Sequence, residues 1–458
     1  MSLEFSEMSR AVRSLEVVKE SKKYLPKFYQ RAQERKRKQG PLAWCMAGVP
    51  TELLVAFDVN GEWPENFGAL CAARLVAPVF IGIAQAEGYF GDLCSYLLNT
   101  MGYCKRCVEL GTPPPESPLE GGMGAPAMLL GSGVICEPRW KWFQAIATRY
   151  FPIPIFTSDP LSPPYDADLD DPRIAEHYLT QLREDLRAQI AFLERQTGRR
   201  LDVPRLRKVM ENSQKALAIW YEILELRKAR PCPMGAEDYF TAIIPQLYML
   251  GEQETVDFYE ALYKEVNERV QKGRGVISDE KYRLFWSGIP PWFNLGLFNY
   301  LETLGAVVVI ESTYYCGPPM EIDLEDPVEG LVQRIWKRAC WHLRNGAEAM
   351  PEVCVPAGFG FIGSKTILGW VKEYHIDGAL MHRTRSCRAT SVGQLHFRNV
   401  LREAGVPSLI FESDMGDPRA WSDEKIKAQL EAFLEMLDKG GLGEPARSTC
   451  EGPKYRVV

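Results

Sequence analysis

Histidine is scarce in this chain, five residues in 458, and no arrangement of Ser, His and Asp stands out that sequence could diagnose as hydrolytic machinery. No run of eighteen or more apolar residues occurs. The first forty residues are mixed and charged, without the apolar centre of a signal peptide, so a cytoplasmic protein is expected. A net charge of −6 with no long basic run leaves no electrostatic footprint for nucleic acid, and neither nucleic acid nor a membrane is expected as a partner. The one basic cluster, RAQERKRK, has Glu34 interposed at helical spacing and reads as a solvated N-terminal helix. Neither a repeat of fixed short period nor a P-loop is visible, so ATP is not expected to bind here. Twelve cysteines without regular spacing are too sparse for a disulfide scaffold, which leaves metal ligation or plain burial.

What is present is an ordinary globular composition, 46% hydrophobic and 25% charged, on a chain long enough for two or three cores. After an N-terminal helical segment (1–40), residues 41–170 alternate short apolar runs with helical stretches. Candidate strands there are Leu75–Phe80, Ala127–Leu130 and Ile153–Phe156, with Pro78 and Pro154 as warnings, and candidate helices are GYFGDLCSYLLNTMGY and RWKWFQAIATRYF. Residues 171–275 read as a helical insert with long amphipathic segments. Strand and helix then alternate again over 276–458, in KYRLFWSG, NLGLFNYLETLG, AVVVIES, GALMHR, QLHFRNVLREAG, PSLIFESD and KIKAQLEAFLEML. The expected class is α/β, two parallel-sheet Rossmann-like domains joined by a helical segment, with functional loops at the carboxyl ends of the strands.

Conventional motifs carry little. GSGV at 131–134 lacks the spacing of a dinucleotide fingerprint and reads as a tight loop, and CKRC at 104–107 has the form of a zinc half-site or redox pair with no second C-x-x-C to complete it. Position in the expected fold says more. Cys94 opens a helix in DLCSYL, Cys136 lies in the loop after a strand in GVICEPRW, and Cys387 lies in the loop after GALMH. Each alone is more often a small core hydrophobe than a ligand. Converging from separate loops, the three thiolates could hold three irons of a 4Fe-4S cluster and leave the fourth iron to another ligand or to substrate.

At these residues the chain resembles the benzoyl-CoA reductase and 2-hydroxyacyl-CoA dehydratase family. The matches are VPTELL, WPENFGAL, GYFGDLCSYL, the Cys136 loop, LFWSGIPPWFN, GAVVVIES, IDGALMHRTRSC, PSLIFESD and AFLE, in order from about residue 49 to 435. The resemblance implies an oxygen-sensitive enzyme of two related subunits, here the larger, paired with a smaller cluster-bearing one. It also implies an ATP-hydrolysing iron-sulfur activator and a low-potential electron donor such as ferredoxin. Cys94, Cys136 and Cys387 would be the cluster ligands. RTRSCRATSVGQ looks more like the reductase branch, which dearomatises an aromatic acyl-CoA, than like the dehydratase branch, which expels a hydroxyl through a ketyl radical. The dehydratase stays as the alternative, and a non-catalytic electron relay as a third.

Several residues then become candidates. Arg383, Arg385 and Arg388 could stabilise a reduced cluster, meet CoA phosphates or face a partner subunit, or be solvated loop charges. Trp286, Trp292 and Phe293 could line a dry slot for the substrate ring, or simply pack a core. Glu52, Glu65, Tyr314, His382 and His396 have the chemistry of a proton donor, although Glu52 and Glu65 could equally be first-turn carboxylates favoured by a helix dipole.

Overall fold

The computed structural model describes residues 10–25, 40–133, 136–158, 163, 167–346 and 363–439. The basic cluster at 31–38 lies outside them. Four strands, β1 (Leu42–Cys45), β2 (Asn60–Glu62), β3 (Met128–Ser132) and β4 (Ile155–Ser158), form a parallel sheet in the order β2-β1-β3-β4. A second parallel sheet contains β5 (Tyr282–Ser287), β6 (Ala306–Glu311), β7 (Gly378–Thr384) and β8 (Ser408–Ser413) in the order β6-β5-β7-β8. The two sheets share one topology: in each, the first strand lies between the second and the third, so the chain reverses direction across the sheet there. In open parallel sheets, ligands gather outside the carboxyl ends of the strands at this reversal. Every residue of β3 and β6 is buried, as expected when helices cover both faces.

One expected strand fails for a local reason. Leu75–Phe80 is not a strand. Leu75 adopts a left-handed φ of +58°, and a helix runs over Ala77–Ala86 with Pro78 in its first turn, where proline's missing N–H costs nothing. Nor does the sequence pattern announce β1 and β2. β2 reads Asn-Gly-Glu, with no β-branched residue to mark it, and its buried Glu62 accepts a hydrogen bond from the Gly124 backbone N at 2.9 Å.

The long helices Pro172–Thr197, Val203–Leu226 and Gln253–Gln271 lie between the sheets in sequence, the first two capped by the side chains of Asp171 and Asp202. Trp220 stacks between Tyr239 and Tyr259, with ring centroids 5.7 and 5.0 Å away. Among the described residues no single helix is long and apolar enough to cross a membrane, although Pro64–Ala73 and Ala77–Ala86, bent by 120°, pass that test as a pair.

Ala77–Ala86 packs closely on the helix Ser95–Leu110, whose first turn adjoins Cys94. A Cβ at Gly102 would stand 1.9 Å from the Phe80 carbonyl oxygen, backbone against backbone, whereas one at Gly82 would meet nothing within 4 Å. Gly82→Ala should therefore stabilise the protein by about 0.5–1 kcal/mol through helix propensity. Gly102→Ala should cost about 1–3 kcal/mol, because the helices must part. Chemical denaturation of the two variants checks the opposite signs.

Candidate active site

The carboxyl ends of both sheets open on one cavity of about 320 Å³. Ala47 reaches it after β1, Cys136 after β3, Ile289 after β5, Tyr314 after β6, Cys387 after β7 and Met415 after β8. Cys136 and Cys387 thus follow the equivalent third strand of each sheet. Cys94 joins them from the N-cap of Ser95–Leu110, and the Ser95 backbone N donates to the Ser386 hydroxyl at 3.2 Å, tying its loop to that of Cys387.

Each of these cysteines adjoins the start of a helix. The sulfur of Cys94 accepts from the backbone N–H groups of Tyr96 and Leu97, that of Cys136 from Arg139, and that of Cys387 from Ala389 and Thr390. Helix N-termini favour thiolate over thiol. Burial works against this and pushes all three thiols up, Cys136 to about 12 despite the opposing Arg139 guanidinium, and at Cys94 the other two cysteines add to the effect. Sulfurs so placed ionise when a cation arrives to compensate them.

Around them the wall is aromatic. The Trp292 indole N–H donates to the Tyr96 hydroxyl, and Tyr314 lies within hydrogen-bonding reach of Tyr96. Tyr314 holds φ +69°, a left-handed conformation that costs a non-glycine residue on the order of 1–3 kcal/mol and persists where surrounding contacts impose it. Burial, with Tyr248, Glu65 and Cys387 nearby, keeps its phenol well above the usual range, hence protonated. Glu65 lines the same cavity, accepts from the Ala47 backbone N at 2.6 Å and pairs with Arg139 at 3.1 Å.

The other sequence candidates lie elsewhere. Glu52 is buried against Arg334 at 2.6 Å, so its carboxylate belongs to a structural ion pair. Trp286 is wholly buried among Phe298, His382 and Phe411, its indole N–H donating to the Gly288 carbonyl at 2.8 Å, and Phe293 packs on Trp421. His396 is exposed on the helix Gln394–Glu403. Arg383 and Arg385 are exposed and share Glu412, at 2.8 and 3.7 Å, and neither lines the cavity. The cation beside the thiols is instead Arg139, 2% exposed, which sequence reasoning misses although it stands three residues after Cys136. Cys104 and Cys107 lie in the C-terminal half of Ser95–Leu110, within an apolar cluster that includes Trp44, Phe67 and Phe80, and are not part of the cavity wall.

His382 is also away from the cavity wall. Its Nδ1–H donates to the Ile289 carbonyl, Nε2 accepts from the Ser413 hydroxyl at 2.9 Å, and burial lowers its pKa to about 4. Unfolding returns it to about 6.5, so the unfolded chain binds the extra proton first. The stability it contributes is complete above pH 6.5 and is lost as pH falls toward 4, a loss of about 3 kcal/mol. His382→Asn should flatten the acid limb of the stability curve across that window, as denaturation midpoints at stepped pH will show.

Among the described residues no group of three His, Cys, Asp or Glu side chains converges tightly enough to hold a single metal ion. A cluster makes a different demand, since each thiolate binds a separate iron and the sulfurs stand further apart. Three thiols from three loops on one cavity, each supported by helix N–H groups, fit that demand.

A family profile described as 2-hydroxyglutaryl-CoA dehydratase, D-component, matches residues 46–437. The chain belongs to this family. A benzoyl-CoA reductase subunit of Thauera aromatica is 28% identical over 411 residues, covering 86% of this chain and 87% of that protein. The (R)-2-hydroxyisocaproyl-CoA dehydratase alpha subunit of Clostridioides difficile is 25% identical over 420 residues, 91% and 94% of the two chains. The (R)-2-hydroxyglutaryl-CoA dehydratase subunit alpha of Acidaminococcus fermentans is 21% identical over 479 aligned positions, 90% and 95% of the two. The D-component match takes in Cys94, Cys136 and Cys387 and leaves out the described segment 10–25. Enzyme subunits of both reaction types, reductase and dehydratase, thus stand among the relatives of this chain.

Proposed function

We propose that this chain is the larger cluster-bearing subunit of an ATP-dependent aromatic acyl-CoA reductase, with Cys94, Cys136 and Cys387 as ligands of a 4Fe-4S cluster. The observation that best supports this is the meeting of three helix-supported cysteines on one aromatic-walled cavity. Such a cluster, when bound, supplies single electrons of low potential. The chain's own residues do the rest. Trp292, Tyr96 and Trp142 wall the acyl group off from water, which would otherwise quench a reactive intermediate. Tyr314 holds a proton on its hydroxyl within the cavity, ready for an acyl group that has gained charge. Arg139 and Glu65 balance one another, so the site carries a buried cation without an uncompensated charge.

The partners on this reading are a related smaller subunit, an ATP-hydrolysing iron-sulfur activator and a low-potential donor such as ferredoxin, in the cytoplasm. A second reading, a 2-hydroxyacyl-CoA dehydratase subunit, is favoured by alignment over 94% of the (R)-2-hydroxyisocaproyl-CoA dehydratase alpha subunit. Assay of the oxygen-free complex with activator, ATP and either benzoyl-CoA or a 2-hydroxyacyl-CoA decides between them. Stoichiometric electron consumption with a dearomatised product supports the reductase. Catalytic electron use with loss of water supports the dehydratase, and no turnover of either thioester removes both readings.

A further inference from the structure

We infer that the outer face of the Cys387 loop is the docking site of the protein that supplies electrons to this chain, a partner whose contact surface is acidic around a small apolar centre. The inference rests on Cys94, Cys136 and Cys387 holding a redox-active cluster. Cys387 caps the helical turn Arg388–Ser391, and this turn has two faces. Ala389 and Thr390 line the cavity on the inside, whereas Arg388 and Val392 are exposed on the outside. The wall between cavity and solvent is here a single turn of helix, about 10 Å across. It is fixed to β7: the Ser391 hydroxyl donates to the Thr384 carbonyl at 2.8 Å, and the Gln394 side-chain amide donates to the His382 carbonyl at 2.7 Å.

The outer face combines apolar side chains with charge of one sign. Val392 and Leu395 are 77% and 59% exposed, although both are large and apolar. Residues 383–412 hold five arginines, all exposed, against two glutamates, Glu403 and Glu412, with neither lysine nor aspartate, a formal +3 in a chain of −6. Arg383 and Arg385 share Glu412, and Arg388, Arg398 and Arg402 pair with no carboxylate among the described residues. An exposed apolar pair among unbalanced cations is the composition of a binding surface, and the cations select an acidic partner. Two aliphatic side chains are too few for the broad apolar interface of permanently joined subunits, whereas small, charge-steered contacts characterise redox partners that meet and part. The thin wall behind the face specifies what that partner brings. One electron given up by the partner, which is oxidised, is gained by the group that the cysteines hold, which is reduced, across this one turn.

Carbodiimide coupling joins a lysine amine to a carboxylate in direct contact, and residues 383–412 contain no lysine. Arg398→Lys and Arg402→Lys, made separately, keep the charge of the face and give it an amine. The probe is the ATP-hydrolysing iron-sulfur activator, in the assembled, oxygen-free complex. Peptide mass spectrometry should find position 398 or 402 joined to an aspartate or glutamate of the activator. A link from both positions only to the related smaller subunit or to a second copy of this chain, or no link at all, overturns the inference. Affinity gives the second measurement, by fluorescence anisotropy of labelled activator. Val392→Glu with Leu395→Glu should weaken binding at least about tenfold while the iron content stays at the wild-type level, since both side chains already stand in water. Wild-type affinity should fall as salt rises, and Arg398→Glu with Arg402→Glu should flatten that dependence. Unchanged affinity in the Val392→Glu, Leu395→Glu complex at full iron content overturns the docking site and spares the cluster. A wild-type complex that holds no iron overturns both.

Discussion

Alanine at Cys94, Cys136 or Cys387, one position at a time, should reduce the iron of the anaerobically prepared protein to a small fraction of its wild-type content. Alanine at Cys104 or Cys107 should leave that content intact. The contrast follows from placement, since all five are free cysteines. The first three line the same cavity and receive helix N–H groups at their sulfurs, while Cys104 and Cys107 lie along Ser95–Leu110 in the apolar cluster of Trp44, Phe67 and Phe80. A cluster held by three thiolates has no spare ligand, so the loss of one exposes an iron to solvent and the remainder dissociates. Iron content and the visible absorption of oxygen-free protein are the measurements, with the thermal midpoint of the metal-free chain as the control for folding. Full iron retained in any one of the three variants would remove that cysteine from the ligand set.

Cys94, Cys136 and Cys387 stand far apart in the chain yet line one cavity. Nothing in their spacing links positions 94, 136 and 387; what links them is that each stands at the edge of an element, and in parallel sheets those edges meet. The apolar runs AVVVIES and GALMHR announce β6 and β7, and the amphipathic stretch from 171 to 275 announces its helices, because period and composition are local properties. Trp286 and Trp292 show the limit of that signal. They are six residues apart in one motif, yet Trp286, on β5, is buried beneath the sheet, and Trp292, past the Pro-Pro turn, faces the cavity. Arg139 was hidden for a similar reason: a charge in the first turn of a helix resembles a solvated one until the helix is docked. The common order of the two sheets left no trace in the sequence at all, since topology is set by which strands pair and not by which residues they contain.

Glu311→Ala should destabilise the second sheet by about 3–5 kcal/mol, the usual cost of leaving a buried charge without its partner. Glu311 ends β6, and its carboxylate takes a two-pronged contact from Arg227, Nη1 to Oε2 at 2.6 Å and Nη2 to Oε1 at 2.7 Å, with both side chains fully buried. Arg227 closes the helix Val203–Leu226 and also donates to the carbonyls of Met234 and Val308, at 3.0 and 3.2 Å, so the pair fastens that helix to the sheet just below Thr313 and Tyr314. Removing the carboxylate strands a guanidinium that no water can reach. Removing both charges does not: Arg227→Met with Glu311→Leu refills the space with apolar groups and should recover most of the loss, because much of the pair's attraction is spent offsetting its own desolvation. Urea midpoints of the metal-free single and double variants give the comparison. If the double variant is as unstable as Glu311→Ala, the contribution of Arg227 comes from its backbone contacts and not from the paired charge. If it recovers, the ion pair fixes the position of the Tyr314 loop more than it adds to stability, and the double variant should then show Tyr314 displaced although the sheet remains folded.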